Sequence, residues 1–378
     1  MTKIMLEADV LSSAIERMKA LYADGHRVVV SFSAGKDSGV TLEVCRIAAK
    51  EAGAGPVEVV MRDEEIMPPG TFEYAERVRA LPDVQLHWLV AHQPIINIFN
   101  REVPYWWVFD KTLDPEQWVR KPPAWAEYIA EQDITRMTIP DRFPPAPGKT
   151  LFATIGLRAQ ESNTRKMGVY SSGGYLTGAN QYGTRNARPI YDWTDGDVWR
   201  AVRDNKWDYN HAYDTMARLG IPRRHLRIGP PTINGASIQQ LPFLKQAWPK
   251  WFEKVCERLP GVRSVTLFGK RAISPERRLG ETWEATFKRE CIERAPAWIA
   301  DRARQSMETR LRRHSYHSTD PFPQNQGCTK CQTIRSWKGL TEVLYTGDPF
   351  VMKASDLRVV EPEFFRSGAG QWGGKPTW

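Results

Sequence analysis

Apolar positions at Val10, Leu11, Ala14, Ile15, Met18 and Leu21 recur at helical spacing, so residues 9–24 predict an amphipathic helix that ends in the Asp24-Gly25 turn. The period then changes. Arg27-Val28-Val29-Val30 is a β-branched run without polar alternation, as expected of a strand covered on both faces. Residues 39–50 return to helical spacing through Val40, Val44, Ile47 and Ala48. Pro56 opens a second strand at 57–61, residues 71–81 read as a helix, and further strands are expected at 85–91 and 151–155. Alternating strands and helices predict an α/β fold, a parallel twisted sheet with helices on both faces. From about residue 236 the spacing is helical throughout, with breaks expected at Pro242, Pro249, Pro260 and Pro296. The expected organisation is an N-terminal helix at 1–24 and an α/β domain at 25–235 with a Trp- and Pro-rich insertion at 100–150. A helical C-terminal domain at 236–366 and a Gly-rich mobile tail at 367–378 follow.

The turn after the first strand carries the densest chemistry. Residues 31–38 read Ser-Phe-Ser-Ala-Gly-Lys-Asp-Ser and lead from a buried strand into a helix. A helix N-terminus presents free N–H groups and the positive end of its dipole, a natural seat for phosphate. Ser31, Ser33 and Ser38 supply hydroxyls, Ala34 and Gly35 a small backbone, Lys36 a point charge, and Asp37 a ligand for magnesium. The spacing is not that of the Walker loop, which needs four residues between its glycines and a Ser or Thr after the Lys. An acidic cluster, Asp63-Glu64-Glu65, ends the second strand, where Asp63 is a second candidate for magnesium. After the strand at 151–155, the string Ile155-Gly156-Leu157-Arg158-Ala159-Gln160-Glu161-Ser162-Asn163-Thr164-Arg165 offers a tight turn at Gly156. It also offers two forked guanidinium groups, Arg158 and Arg165, for phosphate or sulfate, and Glu161 to orient one of them or a metal. Thr194 is a good N-cap for a helix beginning near Asp195.

Taken in order, the loop, the acid after the second strand, the Gly156–Arg165 segment and Pro189-Ile190-Tyr191-Asp192-Trp193-Thr194 with Asp197-Val198-Trp199 resemble the phosphoadenosine phosphosulfate (PAPS) reductase family of the PP-loop superfamily, over roughly residues 25–230. The resemblance implies an adenine nucleotide alpha-hydrolase-like fold and cleavage of ATP between its α and β phosphates, with adenylation of an acceptor. The loop differs from that of reductases acting on PAPS, which tend to lack the Lys-Asp pair and carry a C-terminal Glu-Cys-Gly-like element that this chain does not have. It looks more like the loops of ATP-cleaving relatives: the sulfate adenylyltransferase small subunit, the DNA phosphorothioation sulfurtransferase, and a subgroup named for an immunoglobulin-binding regulator. Asp63-Glu64-Glu65, Thr71-Phe72-Glu73-Tyr74 and Trp118-Val119-Arg120 look most like that last subgroup. The implied cofactors are ATP and Mg2+, with Lys36, Asp37, Asp63, Arg158 and Arg165 carrying the chemistry. The second substrate is expected to be acidic or sulfur-bearing. Reduction of a sulfonucleotide, and a nucleotide-binding regulator or subunit acting on nucleic acid with little turnover, are the alternative readings.

A second constellation lies near the C-terminus. His314-x-x-His317 and Cys328-x-x-Cys331 offer four ligands at spacings suited to structural zinc. An iron–sulfur cluster on Cys256, Cys291, Cys328 and Cys331, a redox-active Cys328/Cys331 dithiol, and unliganded thiols are the alternatives. Composition narrows the rest. The 378 residues are 41% hydrophobic and 11% aromatic, enough for two packed domains. No apolar run approaches the ~20 residues of a membrane span, and five cysteines without regular pairing suit a reducing compartment, so no membrane partner and a cytoplasmic location are expected. A net charge of +9 favours anionic partners, and Arg302, Arg304, Arg310, Arg312 and Arg313 form a run able to meet nucleic acid or a partner protein. The Trp-rich insertion is a candidate interface for a homo-oligomer.

Overall fold

The computed structural model describes residues 7–103, 105–129, 142–223, 226–229, 235–331, 335–348 and 357. The chain forms two compact units. The first comprises residues up to 91, 120–230 and 246–251, and the second 92–119, 231–245 and the residues from 252 onward. The insertion therefore divides: its first part belongs with the helical C-terminal unit and its remainder with the α/β unit.

In the α/β unit, helix α1 (Val10–Ala23) starts where the Asp9 carboxylate accepts from the N–H groups of Leu11 (2.7 Å) and Ser12 (3.2 Å). It leads to β1 (Arg27–Ser31), α2 (Lys36–Glu51), β2 (Val57–Arg62), α3 (Gly70–Arg79) and β3 (Val84–Val90). The short edge strand β6 (Glu127–Tyr128), then β7 (Leu151–Thr154), α4 (Asn163–Ser171), β8 (Arg185–Ala187), α5 (Asp195–Asp204) and α6 (Ala212–Arg218) complete it. The six strands form one sheet in the order β6-β3-β2-β1-β7-β8. Every pairing is parallel. The expected parallel α/β sheet is thus present. Val28, Val29 and Val30 of β1 are all buried, which explains the absence of polar alternation there. Val29, Val60, Leu89, Ala91 and Leu151 pack with Phe143 into one core cluster.

The sheet topology fixes where a ligand can sit. The chain moves outward from β1 to β2 and β3, then returns to place β7 on the other side of β1. Adjacent strands whose following segments leave in opposite directions open a crevice at their carboxyl ends. The segments after β1 and β7 are 31–38 and 155–165, the two strings singled out above.

The second unit contains a two-stranded antiparallel hairpin, β4 (Gln93–Ile96) with β5 (Tyr105–Val108), whose second strand falls in the expected insertion at 100–150. Its aromatic residues are packing residues. Trp106 is buried, Trp107 stacks on His92 with ring centroids 4.5 Å apart, and Trp118 meets Phe109 edge-on. Helices α7 (Gly235–Ala247), α8 (Pro249–Arg258), α9 (Val262–Phe268), α10 (Trp283–Phe287), α11 (Ala297–Ser315) and α12 (Trp337–Leu344) follow in sequence. Pro242 corrects the reading of the sequence: it lies inside α7 and does not end it. Ile238, Leu241 and Leu244 are buried on either side of it, and that burial offsets the hydrogen bond the ring removes. Pro249 and Pro296 do mark helix starts. The C-terminal helices also have a core the sequence hides, Phe287, Cys291, Ala303, Phe322, Trp337, Leu340, Val343 and Leu344, because each short helix contributes only a few members. The expected tail at 367–378 lies outside the described residues.

Candidate functional site

The segment after β1 turns sharply to deliver α2. Ala34 sits in the left-handed region at φ 55°, a conformation costing a residue with a Cβ about 1 kcal/mol that glycine avoids. Asn210 Nδ2 holds the turn by donating to the Ala34 carbonyl at 3.0 Å. Gly35 is the N-cap of α2. Ser38 Oγ donates to the Gly35 carbonyl (3.0 Å) and lies 3.1 Å from Ser33 Oγ, closing the loop on itself. The buried Tyr213 hydroxyl accepts from the Lys36 backbone N–H at 3.0 Å. Burial holds that phenol well above its usual range, so it remains a neutral anchor.

The segment after β7 meets this helix start at close range. A Cβ on Gly156 would lie 2.7 Å from both the carbonyl carbon and oxygen of Asp37 and 2.9 Å from the Ser38 nitrogen. These are backbone atoms and cannot swing aside, so the glycine is required by proximity. Gly156→Ala is expected to push the two segments apart, lowering the unfolding free energy by about 1–3 kcal/mol and weakening anion binding at the loop. Denaturant unfolding and a phosphate titration of the same variant check both.

The approach brings charges together. Asp37 accepts from Arg158 Nε at 2.6 Å and from Lys36 Nζ at 3.0 Å. Asp195, the first residue of α5, lies 3.6 Å from both Lys36 Nζ and Arg158, while its other oxygen accepts from Arg223 Nε at 2.9 Å. Thr194 caps that helix by accepting from the Asp197 N–H, as its position suggests. Lys36 and Arg158 are buried, whereas Asp37 and Asp195 keep part of their surface open. Arg165 forms an ion pair with Glu161 one helical turn away. Burial, together with the neighbouring Arg227 and Arg158 guanidinium groups, holds Arg165 below its usual range. Lys36 and Arg158 thus stand at the start of α2, balanced by Asp37 and Asp195, and Arg165 is near enough to act electrostatically on Asp37 and Arg158.

Asp63 occupies a different setting. Its carboxylate accepts from Trp88 Nε1 (2.8 Å) and the Glu65 N–H (2.9 Å) and forms an ion pair with Arg120. Arg120 lies over the Phe72 ring, 3.2 Å from its centroid. Asp63 is fully buried, unlike the partly open Asp37 and Asp195, and with these partners it braces the end of β2. Asn210, Tyr213, Asp195, Arg223 and Arg227 receive no role from the sequence, because their contribution depends on the long return of the chain through β8, α5 and α6 to the loop.

In the helical unit, His314, Cys328 and Cys331 come together, their ligand atoms all within 4.8 Å of one another. His317 is exposed and outside this group. Cys291 is buried, with its Sγ directed at the Thr341 carbonyl, and Cys256 is likewise absent from the group. Burial pushes the Cys45 and Cys291 thiols up to about 12 and so keeps them protonated. The arginine run on α11 is partly committed: Arg302 Nε donates to the Gly347 carbonyl at 2.8 Å and Arg304 pairs with Asp301. Among the described residues, no helix is long and apolar enough to cross a membrane.

A scan against known protein families finds no match. The chain is 27% identical over 384 aligned positions to the uncharacterized protein YbdN of Escherichia coli K12, covering 92% of this chain and 90% of that protein. Among solved structures, a PAPS reductase from Candida auris in complex with phosphate aligns with a TM-score of 0.34 at 16% identity, covering 61% of this chain and 98% of that one. The FMN adenylyltransferase of Candida glabrata, with FMN and an ATP analogue, aligns with a TM-score of 0.35 at 12% identity, covering 56% of this chain and 63% of that one.

Proposed function

We propose that this protein binds ATP at the loop between β1 and α2 and cleaves it between the α and β phosphates, transferring the adenylyl group to an acceptor. The observation that carries this reading is the N-terminus of α2 beside a sheet crevice, with Lys36 and Arg158 at it and Arg165 within electrostatic range of Asp37. The free N–H groups of a helix start with a lysine and a forked guanidinium beside them suit the oxygens of a phosphate chain.

In this reading a nucleophilic oxygen, sulfur or nitrogen of the acceptor attacks the α-phosphorus. The bond from that phosphorus to the α–β bridging oxygen breaks, and pyrophosphate leaves with the bonding electrons. Lys36 and the free N–H groups of α2 stabilise the charge that grows on the departing pyrophosphate. Arg158, fixed by Asp37, is aimed at phosphate oxygens, and Arg165 with Arg227 grips the outer phosphates or an acidic acceptor. Asp37 and Asp195 are partly open carboxylates among these cations, a donor set that suits magnesium carried in by the nucleotide. The ion would neutralise phosphate charge. Asp63 with Arg120 braces the end of β2.

Competition binding tests the site. ATP with magnesium is expected to bind the purified protein, with inorganic pyrophosphate displacing it and AMP displacing it far less well, because the cations address the phosphate chain. ATP binding insensitive to pyrophosphate, or no binding at all, would overturn the assignment.

A further inference from the structure

Independently of the nucleotide site, we propose that His314 Nδ1, Cys328 Sγ and Cys331 Sγ hold one zinc ion, which fastens the end of α11 to the turn at 328–331.

The geometry of His314 is the first support. Its Nε2 lies 2.8 Å from the Asp320 carbonyl oxygen, and its Nδ1 lies 3.4 Å from Cys331 Sγ. A carbonyl can only accept, so the ring proton belongs on Nε2 and the Nδ1 lone pair faces the thiols. A neutral imidazole whose far nitrogen donates to a backbone carbonyl is the form in which histidine binds zinc, its tautomer and orientation fixed beforehand. The ring is also held edge-on by Phe322, with centroids 5.4 Å apart at 90°, and Phe322 in turn packs against Trp337.

The Cys-x-x-Cys turn is the second support. The turn brings Cys328 Sγ and Cys331 Sγ within 4.8 Å of each other and of a His314 ring nitrogen, so both sulfurs and the imidazole face one point. Lys330, the nearest cation in sequence, has its ammonium drawn to Asp320 Oδ2 at 2.6 Å. Asp320 therefore organises the cluster twice: its carbonyl orients His314, and its carboxylate engages Lys330.

The donor set selects the metal. Two thiolates and an imidazole suit zinc and are poor ligands for magnesium or calcium. The four-cysteine iron–sulfur cluster would need Cys256 and Cys291 as well, and neither is in the group. His317 follows the end of α11, and its N–H donates to the His314 carbonyl; its exposed ring is not a ligand.

The test is metal content by mass spectrometry of the full chain, purified without a metal-affinity step, with the variants His314→Ala, Cys328→Ser, Cys331→Ser and His317→Ala. About one zinc per chain is expected, lost in the first three variants and retained in His317→Ala. The wild-type chain supplies a measurement that needs no variant: alkylation mapped by peptide mass should spare Cys328 and Cys331 until a chelator is added, and re-added zinc should restore protection. The proposal is overturned by iron in place of zinc, by a chain that takes up no zinc, by equal loss in His317→Ala and His314→Ala, or by labelling of the two cysteines that ignores the chelator.

Discussion

Lys36→Ala is expected to reduce ATP cleavage by about 10²–10³-fold, the usual loss when one preorganised stabiliser of developing charge is removed. It is also expected to weaken ATP binding. The fold should survive. Asp37 retains its 2.6 Å contact with Arg158, and Asp195 retains Arg223, so no carboxylate is left buried without a partner. The Lys36 backbone N–H still donates to Tyr213. Thermal unfolding of the variant should therefore lie within a few degrees of the parent (an effect of ~1 kcal/mol or less). Nucleotide affinity and turnover carry the change. A folded Lys36→Ala protein with unaltered ATP affinity would remove the loop from the account.

The opposite balance is expected at the brace below β2. Arg120→Ala should destabilise the α/β unit by about 3–5 kcal/mol, because it leaves the Asp63 carboxylate charged, buried and short of its cation. Burial pushes the Arg120 guanidinium below its usual range while Asp63 pulls it part of the way back, so the two groups depend on each other. The guanidinium also fills space over Phe72 and Trp88, and alanine forfeits those contacts. Asp63→Asn combined with Arg120→Met should recover part of the loss: no orphaned ion remains, but the amide offers one acceptor to the two donors Trp88 Nε1 and the Glu65 N–H. Denaturant unfolding of the single and double variants measures the coupling. Additive single losses would show that the ion pair is not the unit that matters.

The contrast between these positions explains what the sequence could convey. Lys36 and Asp37 are legible because a buried strand, a small turn and a helix start are consecutive, and the chemistry of a helix N-terminus is local. Arg158 is legible for the same reason after β7. Asp63 is the right residue type at the right strand end, yet its partners Trp88 and Arg120 come from two later segments of the chain, and spacing does not reveal such pairings. Asn210 and Tyr213 are hidden similarly: each holds the loop through one hydrogen bond from far downstream. Gly156 is legible as a glycine but not in its reason, which is the nearness of the Asp37 backbone. In the helical unit, Cys-x-x-Cys spacing identifies its own pair, while the choice between His314 and His317 depends on which ring the end of α11 turns inward.

The measurement that tests the central claim most directly is incubation with magnesium and ATP labelled at the α-phosphorus, in the presence of a small-molecule cell extract as a source of acceptor, followed by separation of products. Label in AMP or an adenylated acceptor, with release of pyrophosphate and loss of both in Lys36→Ala, is the expected result. Label in ADP with release of inorganic phosphate, or cleavage that Lys36→Ala leaves intact, would contradict it.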